Sequence, residues 1–420
     1  MLGLFSNFRE GFVKNSFILS GGTLISQALV ILTLPIITRI YSPEYYGVYA
    51  TFLAVVASFS SVAALRFDMA IMQARHNTEA NYIFLISLIS LIIFSFFSLL
   101  ISFSINKFFG FNLPIHISLF FAIGLIIVGL NQSFNIYFSR QEKFYLTSIS
   151  KILISIFMIL FQIIISFLFD NSLVLILGSI FGNLIAFIYL SLNFNLNKKL
   201  KIFLLHSKLK MKHIIRKYKD FPAYSSFGSL MDSLSLNLPI IYVAYFYSLE
   251  VAGIFGLAYR LINIPISFVG QSISQVFYRN TVDFENKIKS FELAVKLFFI
   301  LFIIFVPFLL IIFFLGDRFF QIIFGNDWSS LGDITKYLIF AAFARFCVSP
   351  LSPILLSLGN IKLGVSWQTI YLISLSTVLY FLSHSDFSLF IIIFTIHEIV
   401  LYFLYLIFIL FGAMRLQRTM

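Results

Sequence analysis

Charge is scarce in this sequence. Only 11% of the 420 residues are Asp, Glu, Lys or Arg, whereas 60% are hydrophobic and 19% are aromatic. In an ordinary soluble domain about a quarter of all residues are charged. No water-soluble fold could bury this much apolar surface. Polar linkers are also scarce, because apolar runs of about twenty residues, the length of one membrane crossing, follow one another along most of the chain. The composition excludes a soluble protein and predicts an all-α integral membrane protein.

Cysteine and nucleotide-binding motifs are nearly absent. Cys347 is the only cysteine and lies in an apolar run, so an intrachain disulfide and a cysteine-based metal site are excluded. No Gly-x-x-x-x-Gly-Lys-[Ser/Thr] motif occurs, which argues against direct use of ATP. The apolar stretch after Arg9 and Lys14 is too long for a cleavable signal peptide and predicts the first membrane span. We expect no metal and no cofactor.

Apolar windows predict about twelve transmembrane helices in two pseudo-symmetric lobes of six helices. The first six spans are placed at 17–38, 46–65, 82–105, 117–138, 147–168 and 173–192. The second six are placed at 222–246, 251–276, 293–315, 334–356, 363–383 and 387–411.

Basic residues occupy the short segments between apolar runs. The net charge is +12, but the cations do not form one basic face, which argues against nucleic-acid binding. Cytoplasmic loops retain Lys and Arg. If both termini are cytoplasmic, most cations fall inside and the outer segments hold Arg39, Lys107 and Arg318. The predicted domains are therefore an N-terminal lobe (1–192), a basic cytoplasmic linker (193–220) and a C-terminal lobe (221–420).

An internal repeat supports this division. Leu-Pro-Ile-Ile occurs at 34–37 and again at 238–241, and each copy is followed by a Ser-x-Glu-x-x-Gly pattern, at 42–47 and 248–253. We expect Pro35 and Pro239 to kink the first helix of each lobe. The second pattern predicts a tight outer turn, with Glu in the first turn of the next helix and Gly allowing close packing. Parallel repeats are typical of alternating-access transporters, although an old duplication without mechanical meaning would leave the same pattern.

Charged side chains inside predicted spans are candidates for lining a polar pathway, because each costs roughly 2.5 to 3.5 kcal/mol to insert. They are Lys151, Asp232, Arg260, Lys296, Lys336, Arg345 and Glu398. Cations outnumber acids, which suits an anionic passenger. The three lysines lie near span ends and could instead extend to the interface, whereas the two arginines lie deeper.

Other charges allow two interpretations. Arg39, Arg66 and Asp68 lie at span ends, where they could be interfacial anchors, and Arg66 and Asp68 could pair locally. Glu398 stands beside His397, and this pair could be a proton relay or a buried pair satisfied by neighbouring hydroxyls.

Six motifs carry a resemblance to a known family. They are Ser-Gly-Gly-Thr at 20–23, Pro-Ile-Ile-Thr-Arg-Ile-Tyr-Ser-Pro-Glu-Tyr-Tyr-Gly at 35–47, Leu-Arg-Phe-Asp-Met-Ala-Ile at 65–71, Phe-Pro-Ala-Tyr at 221–224, the segment 265–278 with Gly-Gln-Ser-Ile-Ser-Gln, and Phe-Gly-Asn-Asp-Trp at 324–328. The chain resembles the Wzx-type oligosaccharide flippases of the multidrug/oligosaccharidyl-lipid/polysaccharide (MOP) exporter superfamily. The similarity weakens over the last two spans.

The resemblance implies a flippase rather than an enzyme. Such proteins have two six-helix lobes and move undecaprenyl-pyrophosphate-linked oligosaccharides, as for O-antigen or capsule, from the cytoplasmic to the periplasmic leaflet of the bacterial inner membrane. It implies a cationic cavity between the lobes, with Arg39, Arg66, Asp68 and Arg260 at motif positions. The other cavity candidates are Lys151, Asp232, Arg345 and Glu398. The expected partners are the lipid-linked passenger, membrane lipids, a polysaccharide polymerase and a chain-length regulator, with possible coupling to H⁺ or Na⁺.

Three alternatives remain at this stage. The first is a small-molecule or drug exporter of the same superfamily, which would need an acidic cavity to bind cations. The second is a membrane polymerase, which would have a large outer loop that the sequence lacks. A passive scaffold for the assembly machinery is the third alternative.

Overall fold

The computed structural model describes residues 2–109, 115–194, 208–282, 290–357 and 361–419, and all regular structure in these ranges is helical. Twelve long helices occur there. They are α1 (Leu2–Ile40), α2 (Pro43–Ala63), α3 (Asn77–Phe109), α4 (Ile115–Arg140), α5 (Phe144–Ser166), α6 (Ser172–Leu192), α7 (Ser226–Phe246), α8 (Leu249–Val282), α9 (Ser290–Phe324), α10 (Ser330–Val348), α11 (Ile361–Phe381) and α12 (Phe387–Thr419).

The long helices match the predicted membrane spans. Within the described ranges, ten helical segments are long and apolar enough to cross a membrane. The other two long helices, α8 and α11, occupy the positions of the predicted eighth and eleventh spans. The all-α membrane fold is therefore confirmed. Helix ends extend beyond several predicted spans, and α9 continues through Arg318, which the sequence placed in an outer loop. Hydropathy detects only the apolar part of a helix, whereas backbone hydrogen bonding continues into its polar turns.

Short helices join some of the long ones. A turn of α-helix at Phe67–Ala70 and a 3₁₀ turn at Ile71–Gln73 follow α2, and a π-helical turn at Phe221–Ser225 leads into α7. A further helix, Lys208–Lys217, lies within the predicted basic linker, of which residues 195–207 lie outside the described ranges. The predicted linker therefore contains a folded element.

Packing divides the chain into two compact units. Unit 1 comprises Met1–Tyr41 and Phe52–Ser233, and unit 2 comprises Ser42–Thr51 and Leu234–Met420. This division assigns the start of α2 to the second unit and residues 193–233 to the first. The lobe boundaries 1–192, 193–220 and 221–420 stay a prediction.

In unit 1, α5 packs against α1 and α6, and α3 packs against α4. Gly182 makes the contact between α5 and α6 close, because a Cβ at this position would overlap the carbonyl oxygen of Ile154. Small residues permit such close helix contacts in membranes, where apolar side chains gain little by leaving lipid. Unit 1 also contains a cluster of buried aromatic rings around Phe84, whose ring centroid lies 5.0 Å from that of Phe134 and 4.8 Å from that of Phe194.

In unit 2, α10 is the central helix, since it contacts α8, α9 and α12 and is buried around most of its circumference. Trp328, just before α10, is fully buried and packs edge-to-face on Tyr46 with ring centroids 5.6 Å apart. An aromatic edge-to-face pair of this kind contributes about 0.5–1.5 kcal/mol beyond its buried area.

The repeated Ser-x-Glu-x-x-Gly patterns form the same structure twice. Ser42 precedes α2 and accepts a hydrogen bond from the Tyr45 amide (3.4 Å), and Ser248 precedes α8 and accepts one from the Val251 amide (3.1 Å). Each serine caps a helix N-terminus by satisfying an amide that has no intrahelical acceptor. Pro35 and Pro239 both lie inside continuous helices, α1 and α7.

The glycines of the two patterns pack against each other's turn. A Cβ on Gly47 would overlap the carbonyl oxygen of Leu249, and a Cβ on Gly253 would overlap that of Pro43. The predicted role of these glycines in close packing is confirmed. The contact is made by backbone, which cannot move aside as a flexible side chain can.

Replacing either glycine by Ala should destabilise unit 2. We expect Gly47→Ala and Gly253→Ala each to lower the free energy of unfolding by at least about 2 kcal/mol, because a methyl group forced into a backbone contact requires the helices to separate. The unfolding midpoint of detergent-solubilised protein measures the effect. Gly21→Ala is the matched control, since no heavy atom lies within 4 Å of its Cβ position. Equal midpoints for all three variants would contradict the packing role.

Candidate functional site

A buried polar site of unit 2 centres on Arg345 of α10. Its guanidinium forms an ion pair with Glu398 of α12, with 3.0 Å between Nη2 and Oε2. Both side chains are buried, with exposed fractions of 8% for Arg345 and 1% for Glu398. A buried charge is tolerated when it is paired and hydrogen-bonded, and this pair is formed entirely by helices of one unit.

Neutral side chains complete the coordination of Arg345. Nε donates to the Tyr402 hydroxyl (2.9 Å), and Nη1 donates to the Tyr259 hydroxyl (3.0 Å) and to Oδ1 of Asn263 (3.1 Å). The guanidinium also lies over the rings of Tyr259 and Tyr402, 5.7 and 5.4 Å from their centroids. Through these contacts, side chains of α8 and α12 bind the guanidinium of α10.

Glu398 has partners on a third helix as well. The Tyr371 hydroxyl of α11 donates to its Oε1, and Nδ1 of the neighbouring His397 lies 3.9 Å from the same oxygen. His397 Nε2 lies 3.1 Å from the Ser374 hydroxyl. Glu398 therefore accepts from a neighbouring hydroxyl, whereas Nδ1 of His397 has no hydrogen-bond partner among the described residues. Both sequence interpretations of the His397 and Glu398 pair stay predictions. The geometry of the pair places a titratable imidazole beside the carboxylate.

A small cavity adjoins the ion pair. Its volume is about 10 Å³, room for about one water molecule, and its lining includes Asn263, Arg345 and Glu398. A sugar or a diphosphate could not enter so small a space. In this conformation Arg345 and Glu398 pair with each other. Their predicted role in binding a transported substrate stays a prediction.

Arg260 of α8 has a different environment. Its partners are the phenols of Tyr46 and Tyr49 at the start of α2, to which the guanidinium donates hydrogen bonds. Both tyrosines are buried, and the Arg260 side chain is partly exposed. Neither partner is a carboxylate, so these contacts hydrogen-bond the charge of Arg260 without an ion pair.

Lys151 of α5 is the corresponding cation of unit 1. Its ammonium donates to the Thr23 hydroxyl of α1 at 2.8 Å, and it is partly buried. The neighbouring Ser26 hydroxyl lies 2.6 Å from that of Ser155 and donates to the Lys151 carbonyl oxygen at 3.0 Å. Hydroxyls thus form a polar seam between α1 and α5 next to the ammonium.

Arg66 lies in a strained turn after α2, and Asp68 lies in the short helix that follows this turn. Leu65 and Arg66 have φ angles of 48° and 57°, a left-handed conformation that non-glycine residues rarely adopt. The side chain of Asp68 is buried, and its Oδ1 has no hydrogen-bond partner among the described residues. The described residues form no ion pair between Arg66 and Asp68 within 4.0 Å. Strain of this kind tends to collect at functional positions.

The turn at Arg66 and Asp68 meets a second motif. The short helix Phe67–Ala70 contacts the π-helical turn Phe221–Ser225, so the segments 65–71 and 221–224, far apart in sequence, lie together in unit 1. π-Helical turns often mark functional positions because they interrupt the regular hydrogen-bond ladder. Burial raises the pKa of the Asp68 carboxyl, and the nearby Arg66 only partly opposes this rise.

The last two predicted cavity residues, Arg39 and Asp232, are exposed. Arg39 lies at the end of α1 and Asp232 lies within α7, and each has further interactions. Unit 1 therefore holds Arg39, Arg66, Asp68, Lys151 and Asp232, and unit 2 holds Arg260, Arg345 and Glu398. Among the described residues, no group of three His, Cys, Asp or Glu side chains could hold a metal ion.

The sequence interpretation missed the hydroxyl and amide partners of these charges, among them Tyr259, Asn263 and Tyr402. Two spacings could have indicated them. Tyr259 and Asn263 are four residues apart on α8, and Glu398 and Tyr402 are four apart on α12, a separation that places side chains on one helix face.

Comparison with known proteins gives a consistent result. The model of the polysaccharide biosynthesis protein family matches residues 36–332. A curated relative, the teichuronic acid biosynthesis protein TuaB of Bacillus subtilis, is 24% identical over 166 residues, which cover 37% of this chain and only 33% of that protein. The matched part is therefore about one third of the relative's length.

Solved structures share the fold. An inward-facing multidrug resistance MATE family transporter of the MOP superfamily aligns with a TM-score of 0.68 at 14% identity, over 94% of this chain and 98% of that chain. The Vibrio cholerae MATE transporter VcmN gives 0.60 at 11% identity, over 99% and 98%. A MOP superfamily transporter from Pyrococcus furiosus, reported with a binding pocket of reversed polarity, gives 0.53 at 15%, over 96% and 95%.

Removing one member of the Arg345 and Glu398 pair should be costly. We expect Arg345→Gln and Glu398→Gln each to lower the free energy of unfolding by about 3–5 kcal/mol, because each leaves a buried charge without its partner. The double variant should lose clearly less than the sum of the single losses. Chemical denaturation in micelles measures all three. Lys336→Gln, which breaks a partly exposed ion pair with Asp317, is the control and should cost about 1 kcal/mol or less. Additive losses in the double variant would show that the pair is not coupled.

Stability should depend on pH through Asp68. Its raised pKa means that the folded protein favours the neutral carboxyl, so this group contributes most at low pH, and its contribution is lost as the pH rises through the folded-state pKa. Asp68→Asn should therefore be more stable than the natural protein at neutral pH, with the difference shrinking on acidification. Thermal unfolding across a pH series tests this, with the exposed Asp386→Asn as control. A constant difference at all pH values would refute the assignment.

Proposed function

Because the chain belongs to the polysaccharide biosynthesis protein family, we propose that it is a flippase that moves a saccharide linked to a polyprenyl diphosphate from the cytoplasmic to the periplasmic leaflet. The passenger would be a repeat unit of a cell-surface polysaccharide such as O-antigen or capsule, attached to undecaprenyl diphosphate. The chain acts by alternating access in the bacterial inner membrane, with both termini in the cytoplasm, and it makes or breaks no covalent bond.

One observation supports an anionic passenger above the others. Lys151 and Arg260 lie within membrane helices, and their partners among the described residues are hydroxyl groups, not carboxylates. Charges held in this way retain a net positive field, whereas Arg345 is neutralised by Glu398. An incoming diphosphate would supply the missing negative charge, and charge-assisted hydrogen bonds to phosphate are among the strongest in proteins.

The membrane potential favours this direction of transport. With the cytoplasm negative, moving one negative charge outward releases about 2.3 kcal/mol per 100 mV. A diphosphate with two negative charges gains roughly twice that amount. The passenger's own charge therefore contributes driving force, whether or not an inward H⁺ or Na⁺ adds to it.

The proposal also assigns four charged side chains to the ends of the transport pathway, namely Arg39, Arg66, Asp68 and Asp232. Arg66 lies in a strained turn, and the short helix with Asp68 contacts a π-helical turn, an arrangement that would let the two segments move together when the headgroup arrives. The polyprenyl tail stays in lipid throughout, since it is as apolar as the surrounding acyl chains.

Reconstituted vesicles test the proposal directly. The purified protein is incorporated into liposomes with a fluorescent disaccharide linked to polyprenyl diphosphate, and a membrane-impermeant reductant quenches the outer leaflet. We expect the protein to make the inner-leaflet pool accessible to quenching. Arg260→Gln and Lys151→Gln should each slow this exchange about tenfold or more, because each removes a charge-assisted hydrogen bond worth about 1.5–3 kcal/mol.

Controls separate the alternatives. Lys336→Gln should leave the exchange rate unchanged, because its partner Asp317 lies in a partly exposed ion pair. Accumulation of a cationic dye without movement of the lipid would instead identify a small-molecule exporter, and lengthening of the saccharide would identify a polymerase. Movement of the lipid at the protein-free rate would overturn the proposal.

A further inference from the structure

The helix Lys208–Lys217 is an amphipathic element without acidic residues. Met211, Ile214 and Tyr218 recur at helical spacing, and the last two are buried, with exposed fractions of 7% and 6%. This stripe packs on the core of unit 1, in the cluster that includes Phe138 and Leu146. The helix therefore folds against protein along one face.

One carboxylate fixes the position of this helix. Oε1 of Glu79, at the start of α3, accepts hydrogen bonds from the Lys217 ammonium (2.5 Å) and the Tyr218 hydroxyl (3.2 Å). Its Oε2 accepts one from the Arg75 amide (2.9 Å). Since three donors converge on Glu79, the helix is held in one orientation and its opposite face has a defined direction.

That opposite face is basic. Lys212 and Arg216 are exposed and lie four residues apart, which places them on one side of the helix, and the exposed Lys219 follows in the turn just after the helix ends. Ile215 lies among them with 42% of its surface exposed, and Tyr224, in the π-helical turn that follows, is 77% exposed. Asp220 is the only acidic residue between 208 and 224.

We propose that this basic face binds the headgroups of anionic phospholipids in the leaflet next to it. Helices that lie in the membrane interface combine Lys and Arg with a few apolar side chains that enter the acyl region, and Ile215 and Tyr224 provide such side chains. A nucleic acid or a soluble acidic protein would not favour an exposed isoleucine between the cations. This inference rests on the location of the basic face on unit 1, and it is independent of the substrate that the protein is proposed to transport.

Binding of anionic lipid to this basic face has three consequences. Each Lys or Arg near an anionic surface strengthens the association by roughly fivefold, so three cations give a pronounced preference over zwitterionic lipid. Because Glu79 holds the helix rigidly on unit 1, lipid bound to the opposite face restrains α3 through the same ion pair. The same surface charge also concentrates other anionic headgroups near unit 1.

Lipid-selective fluorescence quenching tests the proposal. A His213→Cys variant in a Cys347→Ala background carries one dye on the exposed side of the helix. Full-length protein is reconstituted with phosphatidylglycerol or phosphatidylcholine bearing a nitroxide near the headgroup. We expect at least tenfold stronger association with phosphatidylglycerol at low salt. The preference should disappear at about 1 M salt, where the screening length is about 3 Å.

Two further variants make the outcome decisive. Lys212→Gln with Arg216→Gln and Lys219→Gln should abolish the preference, whereas the charge-conserving set Lys212→Arg, Arg216→Lys and Lys219→Arg should keep it. Arg216→Gln alone should reduce the preference roughly fivefold and serves if the triple variant folds poorly. Equal quenching by both lipids in the natural sequence, or an unchanged preference in the triple Gln variant, would overturn the proposal. Failure of saccharide translocation in the vesicle assay would leave it intact, so the two proposals fail separately.

Discussion

Every polar group inside a lipid bilayer needs a partner from the protein, because hydrocarbon offers none. At the level of the backbone this constraint produces the long helices, whose amides and carbonyls satisfy one another. At the level of hydroxyls it produces local bonds such as Thr51 to the Gly47 carbonyl and Ser58 to the Ala54 carbonyl. At the level of charge it produces the Arg345 and Glu398 pair with its tyrosines. These contacts follow from the cost of leaving a polar group without a partner in lipid.

The same constraint explains how much of the fold could be predicted. Runs of about twenty apolar residues determine where a chain crosses lipid, so the number and order of the long helices followed from the sequence. The serine-capped turns were predictable because Ser, Glu and Gly act within a few residues. The helix Lys208–Lys217 was not, because hydropathy reports contact with lipid, whereas Ile214 and Tyr218 pack on protein. The positive φ angles of Leu65 and Arg66 could not be predicted from the sequence either, since neither residue type favours that conformation.

The candidate site was predictable residue by residue but not as an arrangement. Each intramembrane charge could be identified from its cost, and Arg260 and Arg345 looked alike at that level. The structure distinguishes them, because Arg345 meets a carboxylate 53 positions later in the chain, whereas Arg260 meets the phenols of Tyr46 and Tyr49. Such partners come from tertiary packing, which no local pattern records. A cation cancelled within the protein can contribute to stability, whereas one held by neutral groups remains able to attract an anion.

The reciprocal contact of Gly47 and Gly253 has an evolutionary consequence. Each glycine leaves room for the backbone of the other turn, so a substitution in one copy of the motif obstructs both copies at once. The two copies cannot diverge independently here, even while their flanking residues drift. A chimaera that joins the first half of this chain to the second half of a distant homologue must therefore inherit a compatible pair of turns, and compatibility at this single crossing should decide which halves can be exchanged.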